Sequence, residues 1–337
     1  TLRNSSAASD VYKRQVDWKS LLEAHSQDQA NFNTYTAKAC HESLLETFTQ
    51  SFGISIENST FLKINGPDSV SFLQGQVTCD VDDLDIGRSI PGAHLNPQGK
   101  VIFTFILTKI SNEQLLLKMN SKILEIALSS LKKYSIFSKV DISVTEEFQS
   151  FFLSPKTNVL LESCKMPCFT VNTVKNHCSA AISKEHIPKL LELIKTKCTL
   201  YGKSIITILR FNFGLVEIYP DTSSKFIPQV LNLDNLNFIS FTKGCYTGQE
   251  IVARTHYLGK AKKTLQRWQV YTKNQIHLNQ KLYNDQGLPI ATIIEFFNTE
   301  NDCIKMFVIT NQKKEIDQVY FDNGSSAKCT MPKQINQ

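Results

Sequence analysis

No stretch of this 337-residue chain offers the roughly 18 consecutive apolar residues that a membrane-spanning helix needs. The most apolar run, Val101–Leu107, has only the length of a strand. No signal-peptide pattern is visible. The nine cysteines are an odd number and scattered without a disulfide framework, which points to a reducing compartment and predicts a cytoplasmic protein. Metal and nucleotide signatures are missing as well. Cys164 and Cys168, followed by His177 and Cys178, lack the second pair of a structural zinc site, and no C-x3-C-x2-C cluster motif occurs. These residues are read as small core positions, and no metal is expected. Lys197 stands where a phosphate loop would need its first glycine, so Gly202-Lys203-Ser204 does not complete that motif. There is no dinucleotide fingerprint, no Ser/His/Asp arrangement and no solenoid repeat. A formal charge of +6 is mildly basic, and no aromatic-rich basic stripe accompanies it. Direct nucleic-acid binding is therefore not expected.

What is present supports a real core: 42% of the residues are hydrophobic, and the length suggests two or three domains. Residues 1–15 (TLRNSSAASDVYKRQ) show no apolar period and read as a linker or non-native segment. Residues 17–50 read as helical from Leu21, Leu22, Leu44, Leu45 and Phe48. Strands are predicted over Phe61–Ile64, Lys100–Thr108, Gln114–Met119 and Val140–Val144, and a helix starts at Gly66-Pro67. Ser121–Tyr134 is an amphipathic helix, and Ile187–Lys195 and Ser204–Phe211 are further helices. Short apolar runs between Thr157 and Ser183 predict more strands. Residues 221–237 read as a long loop packed over a site. Beyond Lys262, short strands and turns at Asn284–Gly287 and Asp322–Gly324 predict a small antiparallel barrel or sandwich. The fold class is α+β with mixed sheets.

The densest chemistry lies in KGCYTGQEIVAR, Lys243–Arg254. Thr247, with Glu250 three positions on, fits a capping box, so a helix should begin near Gly248 and run toward His256, with Ile251 and Val252 inward and Gly259 past its end. Cys245 just precedes that start. The helix dipole and the Lys243 ammonium would both favour its thiolate. Gly244 and Gly248 leave room for a ligand or another backbone. The competing reading is a small buried cysteine between turn glycines, and local chemistry alone leaves the two level.

The segment resembles the signature K-G-C-Y-x-G-Q-E of the folate-binding, tRNA-modifying YgfZ family, part of the aminomethyltransferase (glycine-cleavage T-protein) superfamily. FLQGQVTCDV (Phe72–Val81), LKKYSIFSKV (Leu131–Val140) and KFIPQVLNLDNLNFISF (Lys225–Phe241) resemble family sequence too, in the family's order, so the likeness runs from about Phe61 to Leu265. The resemblance implies a three-domain ring around a folate cavity. Residues 16–240 would form the folate-binding region as two interleaved subdomains, 241–261 the signature loop and helix, and 262–337 the barrel. It implies a tetrahydrofolate, or a one-carbon-substituted folate, as cofactor. It also implies a part in iron–sulfur cluster assembly or repair, and through iron–sulfur enzymes such as a tRNA methylthiotransferase, in tRNA modification.

Cys245 is the expected essential group, supported by Lys243. Tyr246 and Glu250 would position the loop, and Gln249 and Arg254 would face ligand or partner. Gln74 and Gln76 would lie against the cavity, although glutamines beside a C-cap glycine are commonly just surface residues. Arg210-Phe211-Asn212-Phe213-Gly214 matches an R-x-E-x-G segment whose Glu holds the pterin in active transferases; Asn212 cannot reproduce a carboxylate's two parallel bonds. Ser59 and Ile206 stand where some members carry tryptophans. Gln229 can meet a ligand, with Pro228 fixing the turn. His94 beside the Asn96-Pro97-Gln98-Gly99 turn is read as a satisfied or surface residue ahead of a chemical one. Whether the protein is an enzyme stays open, the candidate activity being a folate-dependent transferase. The alternatives are a true aminomethyltransferase, which Asn212 disfavours, and a non-enzymatic scaffold for tRNA or an iron–sulfur protein.

Overall fold

The computed structural model describes residues 41–330 except 173–176, 203, 260, 300–301 and 313–315. The linker expectation for residues 1–15 lies outside them, as does the predicted helix before residue 41. The chain runs α1 (His41–Gln50), β1 (Gly53–Ile56), β2 (Ser59–Asn65), α2 (Ser69–Gln74), β3 (Ser89–Leu95), β4 (Val101–Ser111) and β5 (Gln114–Asn120). It continues through α3 (Leu124–Tyr134), β6 (Asp141–Thr145), β7 (Phe148–Leu153), α4 (Pro155–Ser163), β8 (Cys168–Asn172), β9 (Cys178–Ser183), α5 (Ile187–Thr196), β10 (Thr199–Tyr201) and α6 (Ser204–Phe213). After a 3-10 turn at Pro228–Leu231 come α7 (Gln249–Leu258), β11 (Thr264–Tyr271), β12 (Lys281–Tyr283), β13 (Pro289–Asn298), β14 (Cys303–Thr310), β15 (Gln318–Tyr320) and β16 (Ser326–Thr330).

Three sheets result. One has the order β3-β4-β5-β2-β6 and is antiparallel throughout. A second, β10-β1-β7-β9-β8, is mixed, because β1 pairs with β10 in parallel. The third closes into a barrel in the order β11-β14-β13-β12-β15-β16, and closure leaves no exposed strand edge. The main core lies on the first sheet, against α2, α3 and the 216–239 segment, and it takes in Tyr246 and Val252 of the signature stretch and Ile294, Phe307 and Ile309 of the barrel. The barrel has its own interior around the fully buried Trp268.

Several elements differ from the sequence expectation: strands β1, β3, β7 and β10 are absent from it, and a helix stands where strands are expected. Part of the region predicted as strands is helix α4, capped by the Ser154 hydroxyl accepting from Thr157 N, with Pro155 in the first turn; a prolyl ring there preorganises φ and loses no needed donor. Strand β3 contains Pro91 and Gly92, which hid it. It is an edge strand, where a missing N–H costs little. Gly92 is required there, since a Cβ would lie 2.6 Å from Cys79 Sγ and 2.7 Å from the Phe105 ring.

Candidate functional site

The signature stretch is held between the end of α2, the Asn96–Gly99 turn and the 3-10 turn. Lys243 is the pin. It is buried, and its Nζ donates to three backbone carbonyls, Gln74 at 2.8 Å, Val77 at 2.8 Å and Cys79 at 2.7 Å. An ammonium has three donors, so all are committed. Burial lowers its pKa, while its interactions with the Cys79 thiol, Asp80 and Asp82 oppose the shift. Its Nζ also lies 5.3 Å from the Tyr246 ring centroid. The thiol electrostatically coupled to Lys243 is that of Cys79, which burial pushes up to about 12 with Lys243 opposing. The ammonium that the sequence paired with Cys245 thus fastens the loop to residues 74–79.

Cys245 itself is exposed, between buried Lys243 and buried Tyr246, and its sulfur makes no hydrogen bond among the described residues. Burying Tyr246, whose phenol burial pushes up to about 12, anchors the loop so that its neighbour faces outward.

The predicted capping box does not form. The N-cap of α7 is Gly248 in the left-handed region, with no side-chain cap bond. Thr247 instead donates its backbone N–H to Gly75 O at 3.2 Å and its hydroxyl to Gln76 Oε1 at 3.4 Å, and Glu250 is exposed. The cause is a backbone approach: a Cβ on Gly248 would lie 2.6 Å from Asn96 O. That contact requires glycine at φ +82°, and glycine then occupies the cap position. Val252 is fully buried, Ile251 packs on Gly99, and Gly259 follows the helix end.

The remaining candidates sort by how their polar atoms are used. Gln74 is spent internally: Nε2 donates to Asp80 Oδ1 at 3.0 Å and Oε1 accepts from Val81 N at 2.8 Å. Gln76 is half-buried and uses Oε1 on Thr247. Gln229 donates Nε2 to Val252 O at 2.8 Å, while its buried Oε1 has no partner. Asn212 is half-buried at the end of α6; its backbone O accepts from Arg267 at 2.7 Å, and its side chain makes no hydrogen bond among the described residues. Gln249 is half-buried, and Arg254 is exposed. His94 is fully buried, with Nδ1 2.8 Å from Gln76 O and Nε2 2.9 Å from Ser130 Oγ. Burial lowers its pKa to about 4, so it is a neutral structural imidazole. Among the described residues no group of three or more His, Cys, Asp or Glu could hold a metal ion. Cys178 donates to Asn172 Oδ1 at 2.9 Å.

Sequence reading missed a buried charge cluster that joins α6 to the barrel. Arg210 donates to both oxygens of Glu295, at 2.9 and 2.8 Å, and pairs with Glu217 at 3.2 Å. Tyr219 donates its hydroxyl to Glu295 Oε1 at 2.9 Å, and Asn120 donates to Glu217. Burial works against the Arg210 charge, but Glu217 and Glu295 outweigh it and push its pKa up. The available signal was the lone carboxylate Glu295 inside the apolar run PIATIIEFFN.

Comparison with solved structures places the fold in a class. The glycine cleavage system aminomethyltransferase T of Bartonella henselae superposes with a TM-score of 0.68 over 86% of this chain and 88% of that one, at 16% identity. The architecture is therefore aminomethyltransferase-like. No family model matches the chain. Among curated relatives, the tRNA-modifying protein YgfZ of Colwellia psychrerythraea is 35% identical over 226 residues, 62% of this chain and 69% of the relative. That of Aliivibrio fischeri is 34% identical over 225 residues, 64% and 70% of the two chains. An uncharacterized protein of Haemophilus influenzae is 32% identical over 232 residues, 68% and 77%. The chain belongs to the tRNA-modifying protein YgfZ family.

Proposed function

We propose that the protein binds a tetrahydrofolate and supports iron–sulfur cluster assembly or repair in the cytoplasm, reaching tRNA modification through iron–sulfur enzymes, with Cys245 as its essential group. The observation that carries this reading is the placement of Cys245. A loop pinned by the buried Lys243 and Tyr246 presents an unpartnered thiol at the surface, just ahead of a helix N-terminus. Free cysteines serving only as packing are normally buried; here the chain fixes the residues on either side and leaves the sulfur free.

The side chains present fit a folate in part. Gln229 Oε1 is a buried acceptor with no partner, and the Asn212 amide is unengaged among the described residues. These two would hold the polar edge of the pterin, with Gln76 and Gln249 as further candidates. Gln74 is occupied by Asp80 and Val81. An amide in place of a carboxylate at Asn212 offers an NH2 donor group beside one carbonyl acceptor, which matches the pterin's mixed edge but not its paired N–H groups. Bound folate would supply a one-carbon carrier. The chain's own contributions would be the orientation of that edge and an accessible thiol as a nucleophile. Lys243 keeps the loop in place, and Arg254, which is exposed, would be available to a partner. In cells lacking the endogenous protein, Cys245→Ala should fail to restore iron–sulfur enzyme activity while folding normally; full restoration would remove Cys245 from the function.

A further inference from the structure

The C-terminal end of α7 has no part in that reading, yet it is the most aromatic piece of the surface near the signature loop. Phe241 packs against the main core and stacks on His256, with ring centroids 3.8 Å apart and planes 20° from parallel. His256 meets Tyr257 edge-on at 4.8 Å, and Tyr257 meets Phe241 the same way at 6.4 Å. This three-ring cluster is not buried: Tyr257 is 66% exposed, and Leu258 beside it is 83% exposed. Exposed rings held against one another lose little conformational entropy when something stacks on them.

The chain running through this cluster is basic. From Phe241 to Thr264 the sequence holds Lys243, Arg254, Lys260, Lys262 and Lys263 against a single acid, Glu250, which lies in the first turn of α7. Arg254, Lys262 and Lys263 are exposed and make no ion pair among the described residues. Exposed rings next to cations without ion pairs are the chemistry that holds single-stranded nucleic acid, the rings stacking on bases and the cations tracking phosphates. Histidine and tyrosine are amphipathic rings, which suit base stacking better than insertion into hydrocarbon. The sequence did not show the cluster because Phe241 is remote in the chain from His256 and only the fold brings them together.

We propose that the aromatic end of α7, with Arg254, Lys262 and Lys263, is a docking platform for an unpaired segment of an RNA strand. It does not depend on folate binding. The platform and Cys245 lie at opposite ends of one ten-residue helix, about 15 Å at 1.5 Å per residue, so an RNA held there lies within reach of the signature loop.

The test uses the full chain and a fluorescein-labelled single-stranded RNA of about 12 nucleotides, within the roughly 4–16-nucleotide span of such sites, read by fluorescence anisotropy. The expected result is saturable binding, weakened about tenfold or more by Tyr257→Ala and retained by Tyr257→Phe. Its log–log salt slope should be near −2, for about three neutralised phosphates, and fall to about −0.7 in the Lys262→Gln/Lys263→Gln variant. Tyr257 is mostly solvent-exposed, so its variants keep the fold, which thermal melting confirms. Absence of saturable binding overturns the proposal. So does Tyr257→Ala binding as well as the parent, equal binding of a duplex of the same length, or capture by phosphatidylglycerol vesicles without binding of the RNA.

Discussion

Gly248 and Gly99 meet backbone to backbone: a Cβ on Gly248 would lie 3.0 Å from Gly99 Cα, and one on Gly99 would lie 3.2 Å from Gly248 O. Both are in the left-handed region, at φ +82° and +69°. The contact docks the turn that follows β3 onto the N-terminus of α7, and with it sets where Cys245 emerges. Gly248→Ala carries a left-handed penalty of about 1–2 kcal/mol plus a backbone clash with Asn96 O, so a loss of about 3 kcal/mol or more is expected in denaturant unfolding. At Gly244 a Cβ meets nothing within 4 Å, and Gly244→Ala should stay within about 0.5 kcal/mol of the parent. Equal effects at the two positions would contradict this account of the loop.

Lys243 separates a structural from a chemical role. Lys243→Met leaves three buried carbonyl oxygens of residues 74–79 without their donor, at a cost of about 1–3 kcal/mol for a stranded polar group and more when several are involved. The expectation is a clear drop in melting temperature together with loss of function. A variant that melts like the parent but is inactive would instead assign Lys243 to the chemistry at Cys245.

His94 gives the fold a defined acid response. Its pKa falls from 6.5 to about 4 on burial, so between those values the unfolded chain binds a proton that the native protein excludes. Stability then rises with pH across the window, and is lost as pH falls from about 6.5 toward 4. The full effect is about 3 kcal/mol, at 1.36 kcal/mol per unit. Urea unfolding at pH 7 and pH 4.5 should show this loss in the parent and a smaller one in His94→Gln. An unchanged difference in the variant would place the acid sensitivity elsewhere.

Periodicity found the helices that became α3, α5 and α6 and the strands that became β2, β4, β5 and β6, because each carries its apolar residues at the spacing its element buries. It did not find β1, β7 or β10, and it failed at β3 and α4, where Pro91, Gly92 and Pro155 speak for turns until their edge-strand and first-turn positions are known. At the candidate site the sequence assigned Lys243, Thr247 and Gln74 to chemistry, capping or ligand contact, whereas their polar atoms are engaged within the fold. Their partners are backbone groups brought over by the fold: Gln74 O, Val77 O and Cys79 O for Lys243, Gly75 O for Thr247, and Val81 N for Gln74. The Arg210–Glu295 pair joins α6 to a barrel strand far along the chain, and no local pattern could join them.

The central claim, a folate site served by an accessible thiol, is tested most directly by calorimetric titration of the protein with tetrahydrofolate under reducing conditions, alongside Gln229→Leu and Cys245→Ala. The account predicts saturable binding in the micromolar range or tighter, about tenfold weaker in Gln229→Leu, where the open acceptor is gone, and unchanged in Cys245→Ala. No detectable heat of binding in the parent would contradict it and make the chain a scaffold without folate.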